Sequence, residues 1–589
     1  MTNSETIKKR FTLAAQNHQK NNFVEAETLY KEVLSMDSNH YEATFYLGTL
    51  YGQYSNFEMA LNWLTKASKI RPNDVHVHIN LGNALKELKK YDQSIISYER
   101  AITIDPDVIH AHSNLGIVLK EQLKYTPAIK CFEKVIELNP KYLSAYNNIG
   151  IIFGELKNFN KAKYYCEKAI KIEPNYPASY YNLGLIFQEF GYYKKSCWYY
   201  NETIKLQPNH ADAHNNLGII FQEQGEFKKA ENYFEKAIQY NSENLSYLYQ
   251  LSILKNEVLN KSTKKNINRI LNLHNCTKKN LAYGNLILSK YARKEKDFEK
   301  AFKYLIKGHN YYFDSKGQKF IQGVNYCFKK LTKVNKIISI KKNIEKNKKK
   351  IFQINPIFIV GVPRSGTTLI EKIIASGYNK IPIGEETGIF GNLVGEEIFN
   401  SEKVDLNLEK FKKKLIEQYN EKKLIQAHSK YTFTDKSLDN FFYIELIKKV
   451  FPNAKIVNCR RNPTSSIMSI LENNLIEISW AHSLENIFKY FNIYNKIIED
   501  YKKKMPNFIY DLKYEKFVKN PEVESKKLMN FCGLLWDKKC LEFYKRKDLI
   551  SKTTSNIQIR KAIYDDSKNK YLPYKKLLQK FGKVYHWFK

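Results

Sequence analysis

The sequence predicts a multidomain chain: an all-α repeat superhelix over residues 1–243, a helical connector over 244–350, and an α/β domain with a parallel sheet over 351–589. Three observations carry this. Glycine recurs every 34 residues through the first part of the chain, that register is lost after about residue 244, and at Ile357 an apolar run of strand length leads into a glycine-bracketed basic loop and then an amphipathic segment. A chain of 589 residues also exceeds one hydrophobic core, since domains hold roughly 100–200 residues.

The repeated glycines are Gly48, Gly82, Gly116, Gly150, Gly184 and Gly218. Twelve positions after each stands a small residue (Ala60, Ser94, Ala128, Ala162, Ser196, Ala230), where two helices must approach closely. Pro72, Pro106, Pro140, Pro174 and Pro208 keep the same phase and end the second helix of each unit, because proline lacks an N–H and has a fixed φ. A degenerate first unit around Ala14 and Ala26 brings the count to about seven. This period is that of tetratricopeptide repeats, which stack into a superhelix with a concave face suited to extended peptides. Two residues before successive glycines lie Asn80, Asn114, Asn148, Asn182 and Asn216, a column broken at Tyr46. Each side chain offers one acceptor and two donors and so could pair with the backbone of a peptide in the groove. The column resembles the asparagine ladder of O-GlcNAc transferases; the alternative is that asparagine only caps or spaces helices.

In the connector, Ala292 to Asn310 reads as part of a helical pair, and the lysine-rich run Lys341 to Lys350 as a solvated linker. Ile357–Val360 then has the length and β-branching of a buried strand, and Leu369, Ile370, Ile373 and Ile374 recur at helical spacing. Between them lies Gly361-Val-Pro-Arg364-Ser365-Gly366-Thr367-Thr368. A glycine-bracketed turn opening a helix points backbone N–H groups at one spot, and the positive helix end favours an anion there. The spacing is that of a P-loop, but Thr367 replaces the lysine, which argues against a triphosphate substrate. An arginine fork with three hydroxyls still suits a single phosphate.

These residues resemble the 5′-phosphosulfate loop of sulfotransferases that use 3′-phosphoadenosine 5′-phosphosulfate (PAPS), with the PRSGTT form similar to tyrosylprotein sulfotransferases and their bacterial relatives with tetratricopeptide repeats. The resemblance extends over 351–589. It implies that Glu385, the first glutamate of GEET, is the general base. It places Lys436 on the bridging oxygen of the leaving group, and Arg461 with Ser469 eight residues on at the 3′-phosphate. In the closing segment, with the spacing of Ser555, Gln558 and Lys570, it sets Ser555 toward the nucleotide and Lys570 toward the 3′-phosphate. Arg364, Ser365, Gly366, Thr367 and Thr368 would cradle the 5′-side, with PAP as product and no metal. A phenol with pKa about 10 needs proton abstraction to act as a nucleophile near neutrality. Two departures, Gly388 where animal enzymes carry an arginine and Asn462 for the usual aspartate, leave the acceptor open between protein tyrosine, a carbohydrate and a small molecule.

Composition bounds the alternatives. The 96 Lys+Arg against 60 Asp+Glu give +36 and favour anionic partners, but the lysines are dispersed and no arginine-rich aromatic module appears, so nucleic acid is not expected. Eight cysteines without a CxxC read as reduced core residues. With no apolar h-region at the N-terminus and no run long enough to span a bilayer, the expectation is a cytoplasmic protein whose partner is an acceptor polypeptide in the repeat groove. A P-loop kinase is disfavoured by Thr367 and by the Arg461/Ser469 pair. A non-catalytic repeat scaffold with a nucleotide-binding domain is disfavoured by the presence of both Glu385 and Lys436.

Overall fold

The computed structural model describes residues 3–334, 338–340, 354–378, 380–398, 404–425, 432–546, 560–563 and 571–588. The chain forms two compact units, residues 1–213 and 214–589.

The first unit is helical throughout its described residues, with pairs such as Val75–Glu87 with Tyr91–Ile104 and Ile109–Glu121 with Tyr125–Leu138. The glycine column makes the pairing tight: a Cβ on Gly82 would lie 2.6 Å from Cε1 of Tyr98, which is itself fully buried. At the small positions Ala60, Ala128 and Ala162 are completely buried. The two serines there keep their hydroxyls satisfied, Ser94 donating to the Gly82 carbonyl at 2.8 Å and Ser196 to the Gly184 carbonyl at 2.7 Å. Second helices stop at Ile70, Ile104, Leu138, Ile172 and Leu206, two residues ahead of each proline. A column the sequence did not announce then joins three of these prolines to the next helix: His78 and His112 Nε2 donate to the Pro72 and Pro106 carbonyls at 2.8 Å, and Tyr146 Oη to that of Pro140 at 3.1 Å.

In the second unit, the pair Ala211–Gln224 and Phe227–Tyr240 keeps the repeat form, with the unit boundary inside its first helix. Lys278–Lys294 and Phe298–Lys316 follow as an antiparallel pair. A short parallel pair joins β1 (Ile338–Ile340) to β3 (Val404–Leu406). The main sheet has β2 (Ile357–Gly361), β4 (Thr434–Asp435), β5 (Lys455–Arg460) and β6 (Ile509–Lys513) in the order β4-β2-β5-β6, all parallel. Parallel sheets need cover on both faces, and the side chains divide accordingly. Phe358, Val360 and Ile456 enter one apolar cluster, while Ile357, Ile359, Val457, Cys459 and Leu512 enter another. The first cluster also takes in Leu245, Ile267, Ile287, Leu305 and Val334, so the connector helices and the sheet share one core. None of the eight cysteines is in a disulfide among the described residues; five are buried, and Cys131, Cys197 and Cys276 are half-buried. Among the described residues no helix is long and apolar enough to cross a membrane.

Candidate active site

In open parallel sheets ligands gather beyond the carboxyl ends of the strands, and all four main strands here deliver a candidate residue just past that end. β2 runs into the loop 362–366 and the helix Thr367–Ala375, β4 into Lys436, β5 into Arg461, and β6 into Tyr514. The loop is as tight as its glycines suggest. A Cβ on Gly361 would collide with Ser365 Oγ, and Gly366, at φ +99°, has the Tyr514 ring against it. Arg364 itself sits at φ +68°, a left-handed geometry that costs a residue with a side chain roughly 1–2 kcal/mol.

The loop gathers the predicted anion-binding residues. Arg364 Nε donates to Ser469 Oγ at 2.9 Å, and Arg461 Nη1 donates to the Arg364 carbonyl at 3.1 Å. Ser469 lies on the helix Pro463–Asn473, capped by the Asn462 side chain, which accepts from the Ser465 N–H at 3.1 Å. The eight-residue spacing from Arg461 to Ser469 therefore brings both side chains to one arginine. Burial lowers the Arg364 pKa to about 10, with Arg461 adding to the effect, so the guanidinium stays charged at neutral pH. The Arg461 guanidinium carbon lies 4.7 Å from the centre of the Tyr514 ring, a cation–π contact. Two polar atoms at this spot, Ser365 Oγ and Arg461 Nε, are buried with no hydrogen-bond partner among the described residues. Buried donors are rarely left so. Together with the positive end of the helix Thr367–Ala375, which favours an anion, they form a donor set with the chemistry of a phosphate site.

Glu385 and Lys436 meet beside the same helix. Lys436 N–H donates to the Glu385 carbonyl at 2.8 Å, and the Glu385 carboxylate pairs with Lys372 Nζ at 3.0 Å. The GEET segment is a loop that follows an isolated bridge between Ile383 and Thr434, and Glu385 adopts φ +50°. Lys436 is buried, which alone would depress its pKa, but Glu386 at 2.9 Å, with Glu371 and Glu385, more than offsets this and raises it. Its charge is therefore secure. Beneath it Asp435, fully buried, accepts from Tyr419 Oη at 2.7 Å, Asn440 Nδ2 at 2.9 Å, Thr387 Oγ1 at 3.0 Å and both the N–H and hydroxyl of Ser437. That network stiffens the strand end from which Lys436 projects.

Ser555, Gln558 and Lys570 lie outside the described residues. In the first unit, Asn80 Nδ2 donates to Thr49 Oγ1 at 3.2 Å and Asn114 Nδ2 to Asn83 Oδ1 at 3.0 Å, each reaching the preceding repeat. Asn148 accepts from Lys120 Nζ at 2.6 Å, and Asn182 is buried at 9 % exposure. All four stand in helix interiors, so none is a cap. In the second unit Asn216 Oδ1 accepts from Asn215 Nδ2 at 3.3 Å. The sequence reading missed Glu371, Lys372 and Tyr514. Tyr514 had a signal, its place directly after a strand, whereas the charged pair inside an amphipathic helix gave none.

Residues 356–538 match the family described as the sulfotransferase family. Tetratricopeptide-repeat families match 82–122, 110–142, 144–176, 177–210 and 211–244, and residues 19–101 match the family of anaphase-promoting complex, cyclosome, subunit 3. An uncharacterized protein of Aquifex aeolicus is 30% identical over 332 residues, which cover 52% of this chain and 42% of that one. The chain thus spans less than half of that relative's length. Among solved structures, MamA is 26% identical with a TM-score of 0.27, over 27% of this chain and 94% of that one. A tetratricopeptide repeat protein from Parabacteroides merdae is 18% identical with a TM-score of 0.39, over 42% and 98%. The chain joins tetratricopeptide repeats to a sulfotransferase-family domain with a four-stranded parallel sheet.

Proposed function

We propose that this protein transfers a sulfuryl group from PAPS to an acceptor hydroxyl, that of a protein tyrosine, and that the repeats hold the acceptor polypeptide. The observation that carries the reading is the convergence of Arg364, Arg461 and Ser469 on a helix-opening loop whose Ser365 Oγ and Arg461 Nε are buried without partners. Such a donor set fits a phosphorylated nucleotide, and sulfotransferases generally use PAPS. Bound there, PAPS would supply the transferable sulfuryl group.

Each residue then has a role that its surroundings favour. Arg461 and Ser469 hold the 3′-phosphate, with Ser555 and Lys570 assigned to the nucleotide by resemblance alone. Ser365, Gly366, Thr367 and Thr368 orient the 5′-side through hydroxyls and helix-terminal N–H groups. Arg364 and Lys436 stabilise the negative charge that grows on the leaving phosphate, an electrostatic service worth most away from water. Glu385 accepts the acceptor's proton at its carboxylate. The asparagine column Asn80, Asn114, Asn148, Asn182 and Asn216 pairs with the acceptor backbone and raises its local concentration.

The test is mass spectrometry of tyrosine-bearing peptides incubated with the purified protein and PAPS, beside Glu385→Gln. A sulfate-mass shift on tyrosine that disappears in the variant is the expected result. Retained PAP binding with no tyrosine product would move the acceptor to sugars or small molecules, and an absence of PAP binding would overturn the reading.

A further inference from the structure

The charged pair that the sequence left unexplained sits at the centre of the site. Glu371 is one turn inside the helix that opens on the basic loop and has no exposed surface. Its Oε1 accepts from the Glu385 backbone N–H at 3.0 Å and from Thr434 Oγ1 at 2.9 Å. Its Oε2 is buried without a partner among the described residues. The next residue, Lys372, is 1 % exposed and holds the Glu385 carboxylate from the side-chain end. Thr434 also accepts from the Gly384 N–H at 3.3 Å and donates its own N–H to the Pro382 carbonyl at 3.1 Å. Glu385 is thus gripped at its N–H by Glu371, at its carbonyl by Lys436 and at its carboxylate by Lys372.

A buried carboxylate is an expensive way to fill a helix position. Burial raises the Glu371 pKa, while Lys436 and Lys372 pull against that rise; an aliphatic side chain would incur no such penalty. What an aliphatic residue cannot do is accept a hydrogen bond from an N–H whose residue is twisted to φ +50°. That left-handed geometry persists only when its surroundings over-determine it.

We propose that Glu371 is the positioning residue for Glu385, so that one helix carries the anion site at its first turn and the mount of the base at its second. The nucleotide and the base are then referenced to a single rigid element, which is how a reacting geometry is held within a fraction of an ångström. The catalytic consequence rests on the sulfuryl-transfer reading; the mount itself does not.

Two readouts test this on the full chain. In amide hydrogen exchange of the segment containing Glu385, the wild type and Glu371→Gln, which retains an acceptor oxygen, are expected to be equally protected. Glu371→Met should exchange at least about tenfold faster. Should Glu371→Met not fold, Glu371→Asp, a methylene too short to reach, carries the same expectation. In sulfuryl transfer, kcat should fall about 10- to 100-fold in Glu371→Met with PAP affinity unchanged, and recover in Glu371→Gln. Wild-type protection in both Glu371→Met and Glu371→Asp would overturn the proposal, as would a kcat loss matched by a loss of PAP binding. If exchange behaves as expected but the wild type transfers nothing, the mount stands and the sulfuryl-transfer reading fails.

Discussion

His309 and His482 place their Nδ1 atoms 2.9 Å apart, while His309 Nε2 donates to the Leu471 carbonyl at 2.8 Å and His482 Nε2 to that of Leu475 at 3.1 Å. With both Nε2 protons committed, two neutral rings bring lone pairs face to face. A further proton would bridge them, but burial opposes it. His309 is lowered to about 4 by burial, and His482 to about 3 by burial and then by His309, with Lys316 adding to the effect. Tyr312 and Phe320 pack against the His482 ring. Both folded pKa values lie below the unfolded value of about 6.5, so the unfolded chain binds more protons as pH falls and stability drops with it. Between pH 7 and pH 5 each ring should lose about 2 kcal/mol of stability. Urea midpoints at the two pH values measure this, and the double variant His309→Gln/His482→Gln should show a flatter dependence.

Arg461→Ala should weaken PAP binding by roughly 10- to 100-fold, the worth of charge-assisted hydrogen bonds. The variant also loses the Arg461 bond to the Arg364 carbonyl, which helps hold the loop at its positive φ. Isothermal titration with PAP reads the effect directly, and an unchanged affinity would remove Arg461 from the site.

Gly384→Ala should be damaging although the glycine is only half-buried. A Cβ there would collide with the Thr434 carbonyl, forcing apart the GEET loop and β4. Overpacking of this kind costs typically about 1–3 kcal/mol. Because Glu385 is the next residue, turnover should fall further than the change in Tm alone implies, and the two measurements together separate misplacement from unfolding.

Lys89→Gly should stabilise. The turn between the two helices of a repeat needs a left-handed residue, occupied by Lys89 at φ +58°, Leu123 at +61° and Lys157 at +58°, but by Gly191 and Gly225 at +81° in later repeats. Relief of roughly 1–2 kcal/mol of backbone strain exceeds the roughly 0.5–1 kcal/mol of added chain entropy. A gain of about 0.5–1 kcal/mol is expected in thermal unfolding.

Legibility in the sequence followed periodicity and local geometry. The repeats could be read because each close approach recurs: Gly82 and Tyr98 are sixteen residues apart, as are Gly184 and Tyr200. The loop could be read because strand, glycine turn and helix are contiguous. Arg461 and Ser469 were named by the resemblance; the structure sets one at the end of β5 and the other on the helix that follows. Glu371 could not, since the reason for its charge is the N–H of a residue fourteen positions on, in a loop with no period. His309 and His482, 173 residues apart, gave no signal in either neighbourhood. The asparagines were legible as a column, but the bonds of Asn80 and Asn114 to the preceding repeat depend on how the helices stack.

Glu472 pairs with the Arg293 guanidinium at 2.6 Å and accepts from Tyr571 Oη at 3.1 Å, on the same helix that carries Ser469. With the shared apolar cluster, this ion pair sets the smallest piece of the chain that can be expressed by itself. A fragment starting at residue 351 would leave Phe358, Leu393 and Ile470 without the Tyr283, Leu286 and Leu305 side of their core. It would present a sticky face to its neighbours, and precipitation rather than weak activity is its expected fate.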